Sequence, residues 1–303
     1  MIFVVGETAR SDHFSLNGYK RKTNPLLEKE DVISFKNLYS CGTSTAYSIP
    51  CIFSFYDRDE FSFNKAKSVY NILDILNNTK KIEILWRDNN SNSKGVALRV
   101  RYEDFKTPKN NPICKEGECR DEGMLSGLDR FIKEHPNKDI LIILHQIGSH
   151  GPAYYKRYPK EFEKFTPVCK TNELQKCSKE EIVNAYDNTI LYTDYFLAKV
   201  INFLKKYENK NYESAMIYVS DHGESLGESG IYLHGLPYFI APKAQKNVAS
   251  IIWLSESIKK DINYSAVKNK INQPLSHDSI FHTLLGLFEV QTKLYKKEED
   301  ILK

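Results

Sequence analysis

Residues 215–224 read AMIYVSDHGE, an apolar, partly β-branched run, Ala215–Ser220, that passes directly into Asp221, His222, Gly223 and Glu224. A short apolar run closed by a turn signal is the pattern of a strand covered on both faces. Four more runs share it: Ile2–Val5 before Gly6-Glu7-Thr8, Ile82–Trp86, Ile140–His145 before Gln146-Ile147-Gly148-Ser149-His150-Gly151, and Ser250–Leu254. Helical periodicity lies between them. Apolar residues recur at 69, 72, 73 and 76 within Val69–Leu76, and Ile182, Ala185, Tyr186, Thr189, Ile190, Thr193 and Leu197 share a face of Glu181–Leu204. Strands alternating with helices predict a three-layer α/β/α sandwich with a mostly parallel central sheet. No repeat, low-complexity tract or flexible linker divides the chain, so residues 1–303 read as one domain. Cys114–Cys119 and Pro152–Cys177 read as surface insertions, and Lys293–Lys303 as a solvated helix or frayed tail.

Composition narrows the function. The chain has 303 residues, and 43 Lys+Arg against 39 Asp+Glu give a net charge of +4. That charge, with no dense basic block, is too weak to indicate a nucleic-acid partner. No apolar run approaches the roughly 20 residues that span a bilayer. The six cysteines form three pairs close in sequence, Cys41/Cys51, Cys114/Cys119 and Cys169/Cys177. Short loops favour bonding within each pair, and the spacing lacks the C-x2-C pattern of a zinc cluster. Disulfides imply an oxidising compartment, yet MIFVVGET carries no export signal. The 19 Tyr and 16 Phe, and the run Tyr154-Tyr155-Lys156-Arg157-Tyr158, would suit a lipid interface as well as ordinary loop packing.

In open α/β sheets, ligands gather beyond the carboxyl ends of the strands. Glu7, Asp221 and His222 stand at such ends. If their strands are neighbours, two carboxylates and an imidazole form an oxygen/nitrogen set suited to Zn²⁺, less well to Mn²⁺. A second cluster is Cys41-Gly42-Thr43-Ser44-Thr45-Ala46-Tyr47-Ser48-Ile49-Pro50-Cys51, rich in hydroxyls and framed by cysteines. Serine and threonine there serve as ordinary helix caps, or one of them serves as a nucleophile at a helix N-terminus that favours phosphate. Spacing alone does not choose among Thr43, Ser44 and Thr45. Among the eight histidines, His145, His150, His222 and His234 lie in glycine-flanked or strand-end segments. His13, His135, His277 and His282 read as surface or core residues, with Asp278 a candidate helix cap.

FVVGETARSDHFSLNGY, NLYSCGTSTAYSIPC, WRDNNSNSKGV, HQIGSHGPAYYKRYP and VSDHGESLGESGIYLHGLPY, in this order from about Ile2 to Leu285, resemble the phosphoethanolamine transferases. That group belongs to the alkaline phosphatase/sulfatase-like superfamily and includes the transferable colistin-resistance enzymes. The resemblance implies zinc held by Glu7, Thr45, Asp221 and His222, with Thr45 as nucleophile. It places His150 and His234 on the transferred phosphoryl group or on a second zinc, with His145 and Glu224 nearby, and Lys94 near the donor head group. It agrees with the disulfides Cys41–Cys51, Cys114–Cys119 and Cys169–Cys177. It implies a soluble catalytic domain of a longer enzyme whose transmembrane helices anchor it at the periplasmic face of the bacterial inner membrane, acting as a monomer. The implied reaction moves phosphoethanolamine from phosphatidylethanolamine to lipid A, another glycan or a protein. One alternative is a sulfatase-like phosphodiesterase, although the Cys/Ser-x-Pro-x-Arg nucleophile motif is missing around Thr45. Another is a zinc-stabilised glycan- or lipid-binding module without turnover.

Overall fold

The run Ile2–Gly6 becomes β1, whose side chains alternate between two cores. Ile2 and Val4 join one, with Ile182, Tyr186, Ile190, Leu197 and Ile201 of the long helix. Phe3 and Val5 join the other, with Ile49, Ile72, Leu76, Phe281 and Leu284. A strand apolar on both faces therefore carries helices on both, which makes the three layers. The computed structural model describes residues 1–208, 210 and 212–303.

Among them the remaining strands are β2 (Val32–Tyr39), β3 (Ile82–Asp88), β4 (Arg101–Asp104), β5 (Cys114–Lys115), β6 (Glu118–Cys119), β7 (Asp139–His145), β8 (Ala215–Ser220), β9 (Ser225–Leu226), β10 (Tyr232–Leu233), β11 (Asn247–Leu254) and β12 (Leu275–Ser276). The helices are α1 (Thr45–Ile52), α2 (Phe63–Lys67), α3 (Ile72–Asn78), α4 (Leu128–Glu134), α5 (Lys179–Glu208), α6 (Lys243–Lys246), α7 (Glu256–Asp261), α8 (Tyr264–Asn269) and α9 (Asp278–Leu287). Eight strands form one sheet in the order β12-β2-β11-β8-β1-β7-β3-β4. Only β11 runs against its neighbours; every other pairing in this sheet is parallel. The carboxyl ends of β1, β2, β3, β7 and β8 consequently open on one edge.

Register sets the levels at that edge. Gly6 lies opposite Ser220, and Val5 and Asp88 both lie opposite His145. Glu7 and Asp221 thus leave adjacent strands at the same height. The three disulfides pair as the short loops favoured, with Cys41–Cys51 clamping the segment around α1.

Two surface expectations are corrected. The C-terminal run is not a solvated helix or frayed tail: Asp300, Ile301 and Leu302 are buried, and the Ile301 N–H donates to Thr283 Oγ1 of α9. Ile301 and Leu302 have enough apolar surface to dock despite the charges before them. The insertion 152–177 is half internal, since Tyr154, Tyr158, Val168, Cys169 and Leu174 are buried. Four of these, Tyr154, Val168, Cys169 and Leu174, belong to the core that α5 covers.

Candidate metal and nucleophile site

Glu7, Asp221 and His222 converge at the ends of β1 and β8, all fully buried. His222 Nε2 lies 3.2 Å from Glu7 Oε1 and 3.4 Å from Asp221 Oδ2. Neither of those two oxygens accepts a hydrogen bond. Buried polar atoms are ordinarily satisfied, so unpartnered oxygens crowded around an imidazole nitrogen mark a position suited to a cation. The other carboxylate oxygens are anchored: Asp221 Oδ1 accepts from the Thr8 and His222 amides, and Glu7 Oε2 from Asn90 Nδ2 at 2.7 Å. His222 Nδ1 lies 2.9 Å from the Gly223 carbonyl, which leaves Nε2 pointing inward.

The electrostatics agree. Burial raises the Glu7 carboxyl, but the His222 imidazole outweighs it and holds the group below the usual carboxylate range. Burial and the charge on Glu7 push Asp221 up to about 6. Burial works against the imidazolium of His222, yet Asp221 and Glu7 overcome it and push the group up to about 10. Two buried carboxylates demand positive charge, which a divalent ion would supply with less crowding.

The three hydroxyls that spacing left open face different partners. Thr45 is the first residue of α1, and its hydroxyl donates to Glu7 Oε2 at 2.9 Å and lies 3.4 Å from His222 Nε2. Thr43 turns away and donates to the Leu236 carbonyl. Ser44 supplies the backbone N-cap of α1 without a side-chain cap bond.

A second group adjoins the first. His234 lies 3.3 Å from both oxygens of Glu224, and its ring centroid is 4.2 Å from that of His222 and 6.1 Å from that of His150. Burial raises the Glu224 carboxyl above its ordinary value. His150 Nδ1 is buried without a partner, while Arg157 holds the His150 carbonyl and reaches Glu118 of the Cys114–Cys119 hairpin. His145 and Lys94 do not join these contacts. The His145 ring is fully buried against Asp88 and Trp86, and the Lys94 ammonium donates to Ser91 O of its own loop.

Gly223 allows two backbone segments to approach closely. A Cβ there would stand 2.0 Å from the Ala244 carbonyl, because the Gly223 and Glu224 amides bond the 244–245 backbone. Asp278 is not a cap either: it is the first residue of α9, and its carboxylate accepts from Arg58 N and Ser276 Oγ.

Two buried residues that tie this region together have no clear signal in the sequence. Asn90 follows β3, and Asp88 Oδ1 accepts its amide, so its side chain is set to bridge Glu7 and the Gln146 carbonyl. Its only signal was its place just past a strand end. Asn90→Ala is expected to weaken divalent-cation binding at this candidate site roughly 10–100-fold, as loss of a partner to a metal ligand does; competition with a chelator measures it, and unchanged affinity would leave Asn90 a bystander.

His277 is the other. Its Nδ1 accepts the Cys41 amide and its Nε2 donates to the Ser220 carbonyl, fastening the segment before α1 to β8. The remaining histidines outside the site are held locally, His13 by Asp187, His135 by the Phe131 carbonyl and His282 by the Lys296 amide. Burial pushes His277 down to about 3. The unfolded chain therefore takes up a proton below about 6.5 that the folded chain refuses, so stability present above that pH is lost as pH falls towards 3. The loss is on the order of 1 kcal/mol per pH unit. Denaturant titrations of wild type and His277→Gln isolate it: the variant should be less stable at pH 7.5, and the difference should shrink towards pH 4.

Residues 1–290 match the sequence profile of the Sulfatase family, and the chain belongs to that family. Within it, the chain is 51% identical over 297 residues to phosphatidylethanolamine transferase Mcr-2 of Escherichia coli, covering 96% of this chain and 54% of that protein. It is 47% identical over 304 residues to phosphoethanolamine transferase EptA of Escherichia coli strain K12, covering 99% and 55%. The chain thus spans about half the length of the curated relatives it matches. The crystal structure of the soluble domain of lipooligosaccharide phosphoethanolamine transferase A from Neisseria meningitidis superposes with a TM-score of 0.94 at 43% identity, covering 99% of this chain and 91% of that one. No helix among the described residues is long and apolar enough to cross a membrane.

Proposed function

We propose that this chain is the catalytic domain of a zinc-dependent phosphoethanolamine transferase that takes its group from phosphatidylethanolamine and delivers it to lipid A, another envelope glycan or a protein. The observation that carries the reading is the Thr45 hydroxyl, held at a helix N-terminus against Glu7, Asp221 and His222. The names of the relatives support the transferred group, and that of the Neisseria meningitidis protein supports a lipid-linked glycan as acceptor. Zinc fits the unpartnered oxygens of Glu7 and Asp221 with His222 Nε2, and when bound it would supply Lewis acidity that lowers the hydroxyl pKa of Thr45.

The residues of the chain divide the remaining work. Glu7 Oε2 orients the Thr45 hydroxyl so that its oxygen faces the incoming phosphorus. The Thr45 oxygen gives up its proton and forms a bond to phosphorus, the phosphorus–oxygen bond to diacylglycerol breaks, and the departing oxygen takes up one proton, so that none is gained or lost overall. Phosphoethanolaminyl-Thr45 remains until an acceptor oxygen attacks the same phosphorus and returns Thr45. His150 and His234 donate to the phosphoryl oxygens, Glu224 orienting His234. Lys94 lies near the donor head group, and His145 supports the loop of Asn90 through Asp88. In the alternative arrangement, His150 and His234 would hold a second zinc in place of their contacts to the phosphoryl oxygens. The domain works as a monomer, on the periplasmic side of the inner membrane, joined to a membrane-anchored part of the whole enzyme.

Zinc-loaded protein given phosphatidylethanolamine should release diacylglycerol, and lipid A should become the phosphoethanolamine carrier. Free phosphoethanolamine as the sole product, with lipid A present, would make the domain a hydrolase.

A further inference from the structure

The rim of the site displays apolar side chains that nothing in the fold covers. Phe239 is 86% and Ile240 58% exposed, five and six residues after His234. They do not sit on a loose loop. The Ile240 and Ala241 amides both bond the Pro237 carbonyl, closing a tight turn. The Tyr238 ring is held between Arg58, 4.3 Å from its centroid, and Lys246, 5.1 Å away, and the Lys246 ammonium donates to the Tyr238 carbonyl. The Gly235 amide bonds the Thr43 carbonyl and the Thr43 hydroxyl bonds the Leu236 carbonyl, so the turn is fastened to the segment that carries Thr45. On the other flank of α1, Tyr47 packs on Phe63, itself 42% exposed. A rigid turn that keeps a phenyl ring in water implies an apolar partner outside the chain.

The charges around the turn identify that partner. Arg58 and Lys246 grip Tyr238, and Lys243 opens α6 exposed; Asp59, paired with Arg58, and Asp278, which accepts the Arg58 amide, are the opposing acids. Apolar tips flanked by lysine and arginine suit the headgroup level of an anionic bilayer, where rings enter the interface and cations meet phosphates. We propose that the Pro237–Ala241 turn is a membrane-docking element: Phe239 and Ile240 enter the interface of an anionic phospholipid bilayer while Lys243, Lys246 and Arg58 meet its headgroups, presenting Thr45 to lipid. This rests on the reading of the site as one that acts on a lipid donor.

Vesicle sedimentation tests it, with the zinc-loaded chain and vesicles of phosphatidylethanolamine and phosphatidylglycerol, against phosphatidylcholine alone. The chain should bind the anionic vesicles, the double variant Phe239→Ser/Ile240→Ser should bind at least tenfold more weakly, and Lys243→Glu/Lys246→Glu should abolish the preference for anionic lipid. Diacylglycerol release from vesicles should fall by the same factor in the serine variant. Release from monomeric dihexanoyl phosphatidylethanolamine should stay within twofold of wild type, which also reports intact folding. Vesicle binding unchanged by the serine variant overturns the docking role, whatever the turnover. Phe239-dependent vesicle binding with no turnover of either donor keeps the docking role and overturns the transferase reading. A dimer that the serine variant dissolves, without vesicle binding, assigns the turn to a second copy of the chain and overturns the proposal.

Discussion

Thr45→Ala is expected to lower transfer by at least three orders of magnitude and to remove the covalent adduct, while the protein stays folded. The size follows from the role: removing the atom that bonds to the substrate eliminates the two-step route, and losses for nucleophiles range from about 10³ to 10⁶. Retained folding follows from the position. Thr45 opens α1, where alanine is a favourable helix former, and its hydroxyl bonds only Glu7 and faces His222. Thr45→Ser keeps an oxygen at the same place but frees its rotation, because the β-branch that restricts χ1 is gone; a loss of roughly 10–100-fold is expected. Thr43→Ala removes the bond to Leu236 and should disturb the rim more than the chemistry. Intact mass after incubation with phosphatidylethanolamine decides: an adduct on wild type and Thr43→Ala, none on Thr45→Ala. An adduct that survives Thr45→Ala would move the nucleophile elsewhere.

The choice of Thr45 also shows what sequence can and cannot carry. Apolar runs specify the central strands because their burial is two-sided: Ile2–Val5, Ile82–Trp86, Ile140–His145 and Ala215–Ser220 all lie within observed strands. Strands nearer the sheet margins escape that signal. In β2 only Ile33, Phe35 and Leu38 are buried, interrupted by Ser34, Lys36 and Asn37, and β4 at the edge reads Arg-Tyr-Glu-Asp, with charges that suit an unpaired edge. The helix expected over Val69–Leu76 begins at Ile72, because Asn71 caps it and Asp74 completes the capping box.

At the site, residue type flags Glu7, Asp221 and His222, but their meeting depends on β1 and β8 being neighbours, which no local pattern encodes. Thr43, Ser44 and Thr45 differ only in direction, which the first turn of α1 decides. Asn90 and His277 stay hidden for a related reason: each acts by bridging two distant segments, Asn90 from β3 to Glu7 and His277 from Cys41 to Ser220.

Zinc is expected to raise the thermal midpoint of this chain and to drive a proton off it, and Asp221→Asn is expected to abolish both effects. At free zinc one hundred times the Kd, binding stabilises the fold by about 2.7 kcal/mol. In a chain of this size that is a rise of roughly 5 °C. The proton follows from His222. Without the ion, the charges of Asp221 and Glu7 hold the imidazole protonated up to about 10, whereas a metal needs Nε2 bare. Binding near pH 7.5 should therefore release about one proton, and the apparent Kd should fall roughly tenfold per pH unit up to about 10 and then level off. Below about 6, Asp221 also takes up a proton and the dependence steepens. Calorimetric titration in buffers of different ionisation enthalpy counts the proton directly. Asp221→Asn keeps Oδ1 for the Thr8 and His222 amides but replaces the second oxygen with a donor, so the backbone stays while the cation loses a ligand and its charge. Transfer by that variant should fall at least 100-fold, with no zinc-dependent rise in midpoint. Tight zinc binding in Asp221→Asn, or binding by wild type without proton release, would place the ion away from Glu7, Asp221 and His222.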